Sequence, residues 1–322
     1  MNTRTTVTLS ILLGAALAAG PAAQAKRRGG GGGGEGDDHH RKGVEFADAK
    51  QFDKAIEEFS KGIEAAPDNP EAYHDRGTAY RAAGRAAAAA NDGPASTDRF
   101  NKSVADFTKM IELSPKSATG YIERAQTELA QIQYDAAVAD LNKALELKGD
   151  EALVYKFRGF AYVGLKQWDK AVADFTSAIQ KNPNDQQNYD QRALAYRNLN
   201  NFPAAIQDYT TAIEKNPTYQ PEYARRGYTY AIMEDYEKSI ADYQQALKMD
   251  PNDQETVERL KYAQGRLATK NAPPPTPTPT PETSFFTPSK VFIGLIALVI
   301  IAAIVRFLTR GKPEQTSSTR IR

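Results

Sequence analysis

The sequence predicts an all-α protein: a solenoid of about six helix-turn-helix repeats with a capping helix, plus one transmembrane helix. The first observation is a period of 34 residues that runs through most of the chain. The second is that apolar residues within each period fall at helical spacing. Self-similarity at roughly 20–50 residues is the signature of stacked repeats. The residues that carry the period are Tyr121, Tyr155, Tyr189 and Tyr223; Arg124, Arg158, Arg192 and Arg226; and Asp106, Asp140, Asp174, Asp208 and Asp242.

The unit at residues 155–183 explains why its copies must stack. Tyr155, Gly159 and Tyr162 lie on one face of a first helix, where Gly159 leaves room for a neighbouring helix. A second helix follows and ends at Pro183. Neither helix can bury its apolar face alone, so each pair is predicted to pack on the next pair. The apolar face of the second helix consists of Trp168, Ala171, Val172, Phe175, Ala178 and Ile179.

This unit resembles the tetratricopeptide repeat family. The resemblance covers roughly residues 36–253, with the capping helix reaching about Leu267. The third repeat departs from the family pattern, because Glu128 and Leu141 replace aromatic residues and Gly149 replaces the proline. The resemblance implies a protein-interaction scaffold. The matching positions are Tyr155, Gly159, Tyr162, Trp168, Ala171, Phe175, Ala178 and Pro183.

The composition argues against several kinds of chemistry. The 322 residues include no cysteine, which excludes disulfides, thiolate metal sites and a cysteine nucleophile. A net charge of +1 gives no electrostatic bias toward nucleic acid. The sequence has only three histidines, and it lacks a phosphate-binding loop, a nucleophile elbow and an HExxH zinc motif. We therefore expect no enzyme activity, no cofactor, no metal and no nucleic-acid partner.

Residues 1–25 are predicted to form a signal peptide. Arg4 supplies the positive charge that precedes the apolar core at 7–19. That core is too short to be an uncleaved anchor, since a spanning helix needs about 20 residues. Residues 23–25, Ala-Gln-Ala, have the small residues of a cleavage site, so the mature chain is expected to start at Lys26.

Two linkers are predicted to flank the solenoid, which is assigned to residues 39–267. Residues 26–38 are rich in glycine and cannot bury an apolar face, so they are expected to be flexible. Residues 268–290 include a run of proline and threonine that favours a stiff spacer. His39 and His40 are adjacent but have no third ligand nearby, so they indicate the start of a solvated helix and not a metal site.

The second repeat contains 14 extra residues between Tyr80 and Phe100. Ala86–Ala90 has high helix propensity, so the first helix is predicted to run on for about two turns. Asn91–Pro94 (Asn-Asp-Gly-Pro) is predicted to form the turn that follows. The insertion is either a binding element or a tolerated loop.

Residues 291–308 are predicted to form a transmembrane helix. The first 15 of them are entirely apolar, and the whole stretch gives about 27 Å of helix, close to a hydrocarbon core of about 30 Å. The tail at 309–322 is basic, which places it in the cytoplasm. A cell-wall sorting signal is the alternative, but its Leu-Pro-x-Thr-Gly motif is absent. We expect a single-pass protein of the cell membrane with its repeats on the extracytoplasmic (periplasmic) side.

Two functions fit this organisation. The repeats bind a protein or peptide in their concave groove, or they form a structural envelope protein that self-associates or spaces envelope layers. The family resemblance favours binding and implies that the first helices line the groove. Phe157 and Phe160 are expected either to form one exposed apolar platform there or to pack inside the solenoid. The predicted partner-binding residues are Ile122, Leu129, Lys156, Phe157, Phe160, Val163, Leu194, Arg197, Arg225, Tyr228 and Ile232.

The aspartate and arginine series are predicted to be architectural. An aspartate on each second helix is expected to pair with the arginine 18 residues later, on the next first helix. The expected pairs are Asp140–Arg158, Asp174–Arg192 and Asp208–Arg226. The alternative is that the arginines bind an acidic ligand.

Overall fold

A computed structural model describes residues 35–272 and 288–309. The predicted signal peptide, most of both linkers and nearly all of the basic tail lie outside these residues. Every regular element in the described part is an α-helix. The helices are α1 (Glu35–Asp48), α2 (Phe52–Ala65), α3 (Pro70–Ala89), α4 (Gly93–Leu113), α5 (Ala118–Ala130), α6 (Tyr134–Glu146), α7 (Glu151–Gly164), α8 (Trp168–Lys181), α9 (Gln186–Asn198), α10 (Phe202–Lys215), α11 (Gln220–Ile232), α12 (Tyr236–Met249), α13 (Gln254–Asn271) and α14 (Pro288–Leu308).

The helices α1 to α12 form six helix-turn-helix repeats, so the predicted all-α solenoid is confirmed. Odd-numbered helices are the first helices of the repeats, and even-numbered helices are the second. Each first helix packs on the second helix of its own repeat, and each second helix packs on the next repeat. First helices also contact one another from α1 through α9, so they line the inner, concave side of the array.

Polar caps set where many of the helices begin. The side chain of Asn69 accepts a hydrogen bond from the backbone of α3, and Asp150 does the same for α7. Asp185 and Asn201 cap α9 and α10 in this way. Such caps satisfy backbone N–H groups that have no partner inside the helix, and each is worth about 1 kcal/mol.

In four of the six repeats the core is an aromatic ring packed against a glycine. Phe175 of α8 is fully buried, and a Cβ added at Gly159 of α7 would lie 2.8 Å from its ring. A Cβ at Gly227 would come within 3.1 Å of the Tyr243 ring in the sixth repeat. A larger residue at either glycine would push the two helices apart, which confirms the predicted close approach.

The arginine series pairs within each repeat, which corrects the predicted partners. Arg158 donates from Nε and Nη2 to the two carboxylate oxygens of Asp174, 16 residues later, at 2.7 and 2.8 Å. Its Nη1 donates to Asn142 on α6 of the preceding repeat. The helices of a repeat run antiparallel, so the middles of α7 and α8 meet, and Arg158 lies opposite Asp174. The other pairs are Arg76–Asp106, Arg124–Asp140, Arg192–Asp208 and Arg226–Asp242.

The insertion in the second repeat lengthens both helices of that repeat. α3 has 20 residues and α4 has 21, whereas most of the other helices of the array have 13 or 14. Asn91 has φ 60° between them, and Asp92 caps α4. The predicted helix extension is therefore confirmed, and the extra residues are divided between the two helices. The turn is shorter than predicted, because Gly93 and Pro94 already belong to α4.

The helix α14 belongs to a second compact unit, which begins at Ala268. Its described side chains, from Ile293 to Leu308, are exposed and almost all apolar. Among the described helices, none is long and apolar enough to cross a membrane. The transmembrane helix predicted at 291–308 is therefore not confirmed.

Candidate functional site

The concave surface of the first helices contains three regions of different chemistry. The N-terminal region is polar and internally paired. His40 of α1 lies 2.5 Å from a carboxylate oxygen of Asp75, and His74 lies 2.9 Å from the other oxygen. The hydrogen bond to Asp75 raises the pKa of His40. Arg81 bonds both the backbone carbonyl and the carboxylate of Glu123 on α5. These charges satisfy one another across α1, α3 and α5.

The described residues contain no group of three or more side chains that could hold a metal ion. His39, the third histidine of the chain, lies 2.7 Å from Glu58 of α2. The adjacent pair His39 and His40 therefore contacts two different carboxylates on two different helices. These contacts attach α1 to its neighbours.

The middle region is closed by packing, so Phe157 and Phe160 adopt the second of the two arrangements expected from the sequence. Phe157 and Phe160 of α7 are only 7% and 1% exposed. The Phe160 ring meets Phe175 edge-on at 5.5 Å, and both rings share a core cluster with Ile122 of α5 and Leu194 of α9. The first helices α5, α7 and α9 contact one another here, so their groove faces pack together.

The other predicted site residues divide by burial. Three more of them, Ile122, Leu129 and Val163, are buried in the same core cluster. Lys156 and Arg225 are half-buried and paired, with Lys156 2.7 Å from Asp185 and Arg225 2.5 Å from Asp190. Of the remaining predicted residues, Leu194 and Arg197 are partly buried, and Tyr228 and Ile232 are exposed. Arg197 has no carboxylate partner among the described residues.

A buried polar network underlies the C-terminal region. Asp190 accepts hydrogen bonds from Arg225 and Gln191. Glu222 is fully buried, and burial together with the nearby charge of Asp190 raises its pKa. The side-chain amide of Gln186 on α9 donates a hydrogen bond to Oε1 of Glu222. The network fixes α11 against α9 beneath the groove surface.

The C-terminal region of the groove is open. Backbone contacts between first helices are sparser among α9, α11 and α13 than earlier in the array. Tyr228 of α11 is 37% exposed, with the guanidinium carbon of Arg197 5.1 Å and that of Arg259 4.7 Å from its ring centroid. Ile232 is 41% exposed and Tyr262 60%. The cavity beside them measures about 540 Å³ and has Tyr243 as its buried wall.

Sequence reasoning missed half of this open region, although the period contained the signal. Arg259 lies 34 residues after Arg225, and Tyr262 lies 34 after Tyr228. Both belong to α13, which was expected only to cover the last apolar face. Treating the cap as a seventh first helix would have found them.

Comparisons with known proteins identify the repeat. The tetratricopeptide repeat models match residues 40–92, 99–186, 186–219 and 221–253, together more than half of the chain. The gap between the first two segments falls in the insertion. A comparison with curated proteins gives no match.

Several solved structures are similar. The structure of Pseudomonas aeruginosa PilF has a TM-score of 0.57 and 13% identity, covering 72% of this chain and 97% of that chain. The APC/C hetero-tetramer Cut9–Hcn1 has a TM-score of 0.57 and 14% identity, covering 80% and 46%. YrrB, described as a TPR protein with an unusual peptide-binding site, has a TM-score of 0.49 and 21% identity, covering 63% and 97%. At such identities the likeness concerns the fold alone.

Proposed function

Because the chain belongs to the tetratricopeptide repeat family, we propose that it is a protein-interaction scaffold that binds a segment of another protein in its concave groove. The observation that carries this proposal is the open C-terminal region, which combines exposed aromatic and aliphatic surface with arginine. Aromatic residues and arginine are the side chains most often dominant in protein interfaces. Exposing Tyr228, Ile232 and Tyr262 together is unfavourable in water unless a partner covers them.

The position within the array also supports binding at this end. The N-terminal charges of the groove are already paired, and its middle is filled by phenylalanine. A ligand at those regions would have to displace existing contacts. At the C-terminal region it would instead add contacts to a cavity of about 540 Å³.

Site-specific photocrosslinking tests this proposal. A photoreactive phenylalanine analogue in place of Tyr262 is expected to crosslink a partner in living cells. The same analogue in place of Gln207, an exposed residue of the second helix α10, is the matched control. The crosslinked protein is then purified, and its binding to the full chain is measured. Crosslinks only to a second copy of this chain would replace this proposal with self-association, and crosslinks from Gln207 alone would place binding on the outer face.

We also infer that the chain is exported and held at the cell membrane, with its repeats on the extracytoplasmic side. Support comes from the signal-like residues 1–25 and from the apolar stretch at 291–308 before a basic tail. In a bacterial host, protease added to spheroplasts is expected to digest the repeats and spare a C-terminal tag. N-terminal sequencing should give Lys26 as the first residue. Protected repeats or an intact N-terminus would contradict this location.

A further inference from the structure

Most arginines of the described repeats pair with carboxylates, whereas Arg197 in the groove does not. Arg158 and its repeat equivalents each bind an aspartate through two N–H groups. Arg225 is paired with Asp190, and Arg81 with Glu123. Arg197 of α9 is half-buried, lies against the Tyr228 ring and forms no ion pair among the described residues. Its N–H donors are therefore available to a ligand.

A second guanidinium reaches the same ring from the other neighbouring helix. Arg259 of α13 lies over Tyr228, and its acidic partner is Glu255, one turn away on the same helix. That carboxylate is 65% exposed, and exposed ion pairs contribute only about 0–1 kcal/mol. Arg259 can exchange this partner at little cost. Two positive charges thus lie beside one partly exposed aromatic ring, and the ion pair between Arg259 and Glu255 is weak.

A guanidinium that stacks on an aromatic ring binds a carboxylate through paired N–H donors. Here the ring also belongs to an apolar cavity, beside Ile232 and Tyr262. The lining of the cavity also includes Glu255 and Glu258, which would repel a uniformly acidic segment. The ligand that satisfies all of these groups has one carboxylate close to Arg197 and Arg259 and an apolar side chain in the cavity.

We propose that the Arg197–Tyr228–Arg259 cluster binds a peptide segment in which a single aspartate or glutamate lies next to an aromatic or large aliphatic residue. This inference rests on the proposed function and names the chemistry of its ligand. Arg197 and Arg259 bind the carboxylate, Tyr228 supports both guanidinium groups, and the neighbouring apolar side chain of the ligand fills the cavity against Tyr243.

A random-peptide phage library selected on the purified full chain tests the inference. Enriched peptides are expected to contain an acidic residue beside an aromatic or aliphatic one. The best peptide is synthesised with its acid and with the matching amide, and both are titrated by fluorescence anisotropy. Loss of the carboxylate should weaken binding by about tenfold or more, as for a charge-assisted hydrogen bond.

Two variants locate the effect. Arg197→Gln should weaken binding of the acidic peptide by a similar factor and leave the amide peptide unaffected. Arg41→Gln makes the same chemical change on the exposed surface of α1 and should leave both affinities unchanged. Two results would overturn this inference while leaving groove binding intact. Either the enriched peptides contain no acidic residue, or the acidic peptide binds the Arg197→Gln chain as tightly as it binds wild type. If no peptide that competes for the groove is enriched, the carboxylate inference is overturned, and the proposed function is then judged by crosslinking at Tyr262.

Discussion

Replacing Phe160 with alanine is expected to destabilise the solenoid by about 3–5 kcal/mol. The ring is 1% exposed and packs against Phe175 and the neighbouring first helices. Truncation loses the transfer free energy of the ring and leaves a cavity that the surrounding helices cannot fully close. In a domain of this size the melting temperature should fall by roughly 6–20 °C, since each 1 kcal/mol shifts it by about 2–4 °C. Thermal and urea unfolding of the full chain measure both quantities.

The control for this variant is Tyr228→Ala, which removes a similar aromatic ring from the open end of the groove. Because that ring is partly exposed and contacts Arg197 and Arg259, the change should cost only about 1 kcal/mol. Phe157→Ala combined with Phe160→Ala should destabilise further while partner binding per folded molecule persists. Lost binding with an unchanged melting temperature would mean that the two rings form a binding platform after all.

Replacing Asp174 with alanine is expected to cost about 3–5 kcal/mol. Its carboxylate is 7% exposed and bonds two N–H groups of Arg158, which is itself only 16% exposed. The substitution leaves that guanidinium largely buried between the Tyr155 and Tyr162 rings without its counter-charge. Urea denaturation of Asp174→Ala and wild type gives the difference in free energy of unfolding.

A double-mutant cycle identifies the true partner of Asp174. Asp174→Ala with Arg158→Ala should show a coupling energy of about 0.5–3 kcal/mol. The cycle with Arg192→Ala, the partner expected from sequence, should show much less coupling, because Arg192 bonds Asp208. The reverse order of the two coupling energies would contradict the pairing within each repeat.

The repeat period was enough to predict the solenoid. A 34-residue spacing of Tyr155, Gly159 and Pro183 with their equivalents indicates a repeating pair of helices, and the apolar spacing indicates which faces pack. The extended helix after Tyr80 followed from alanine propensity and a turn sequence. These features are local, so the sequence contains the information that determines them.

The partners of long side chains could not be predicted in this way. Asp174 lies close in sequence to both Arg158 and Arg192, and each is centred on a helix that packs against α8. Only the three-dimensional placement shows that Arg158 forms the bidentate pair and that Arg192 reaches α8 through Thr176. Spacing along the chain does not distinguish the two arrangements.

Which groove residues are exposed depends on how closely the first helices of neighbouring repeats pack, and no single repeat determines this. Phe157 and Phe160 occupy helix positions equivalent to Arg225 and Tyr228, so the period alone predicts the same exposure for both pairs. In the structure, α5, α7 and α9 lie close enough to bury the phenylalanine rings. The first helices at the C-terminal end, α9, α11 and α13, make fewer contacts with one another. Contacts between first helices of different repeats decide this exposure, and the pattern within one repeat does not specify them.

The affinity of the Tyr228→Ala chain for its partner tests the central claim most directly. The partner is the protein crosslinked from Tyr262, titrated against wild-type and variant chains while unfolding is measured in parallel. If the open C-terminal region of the groove is the binding surface, affinity should fall by about 30-fold, the loss of a hot-spot residue worth roughly 2 kcal/mol, with stability nearly unchanged. Unchanged affinity in a stably folded Tyr228→Ala chain would contradict the account and place the partner on another surface.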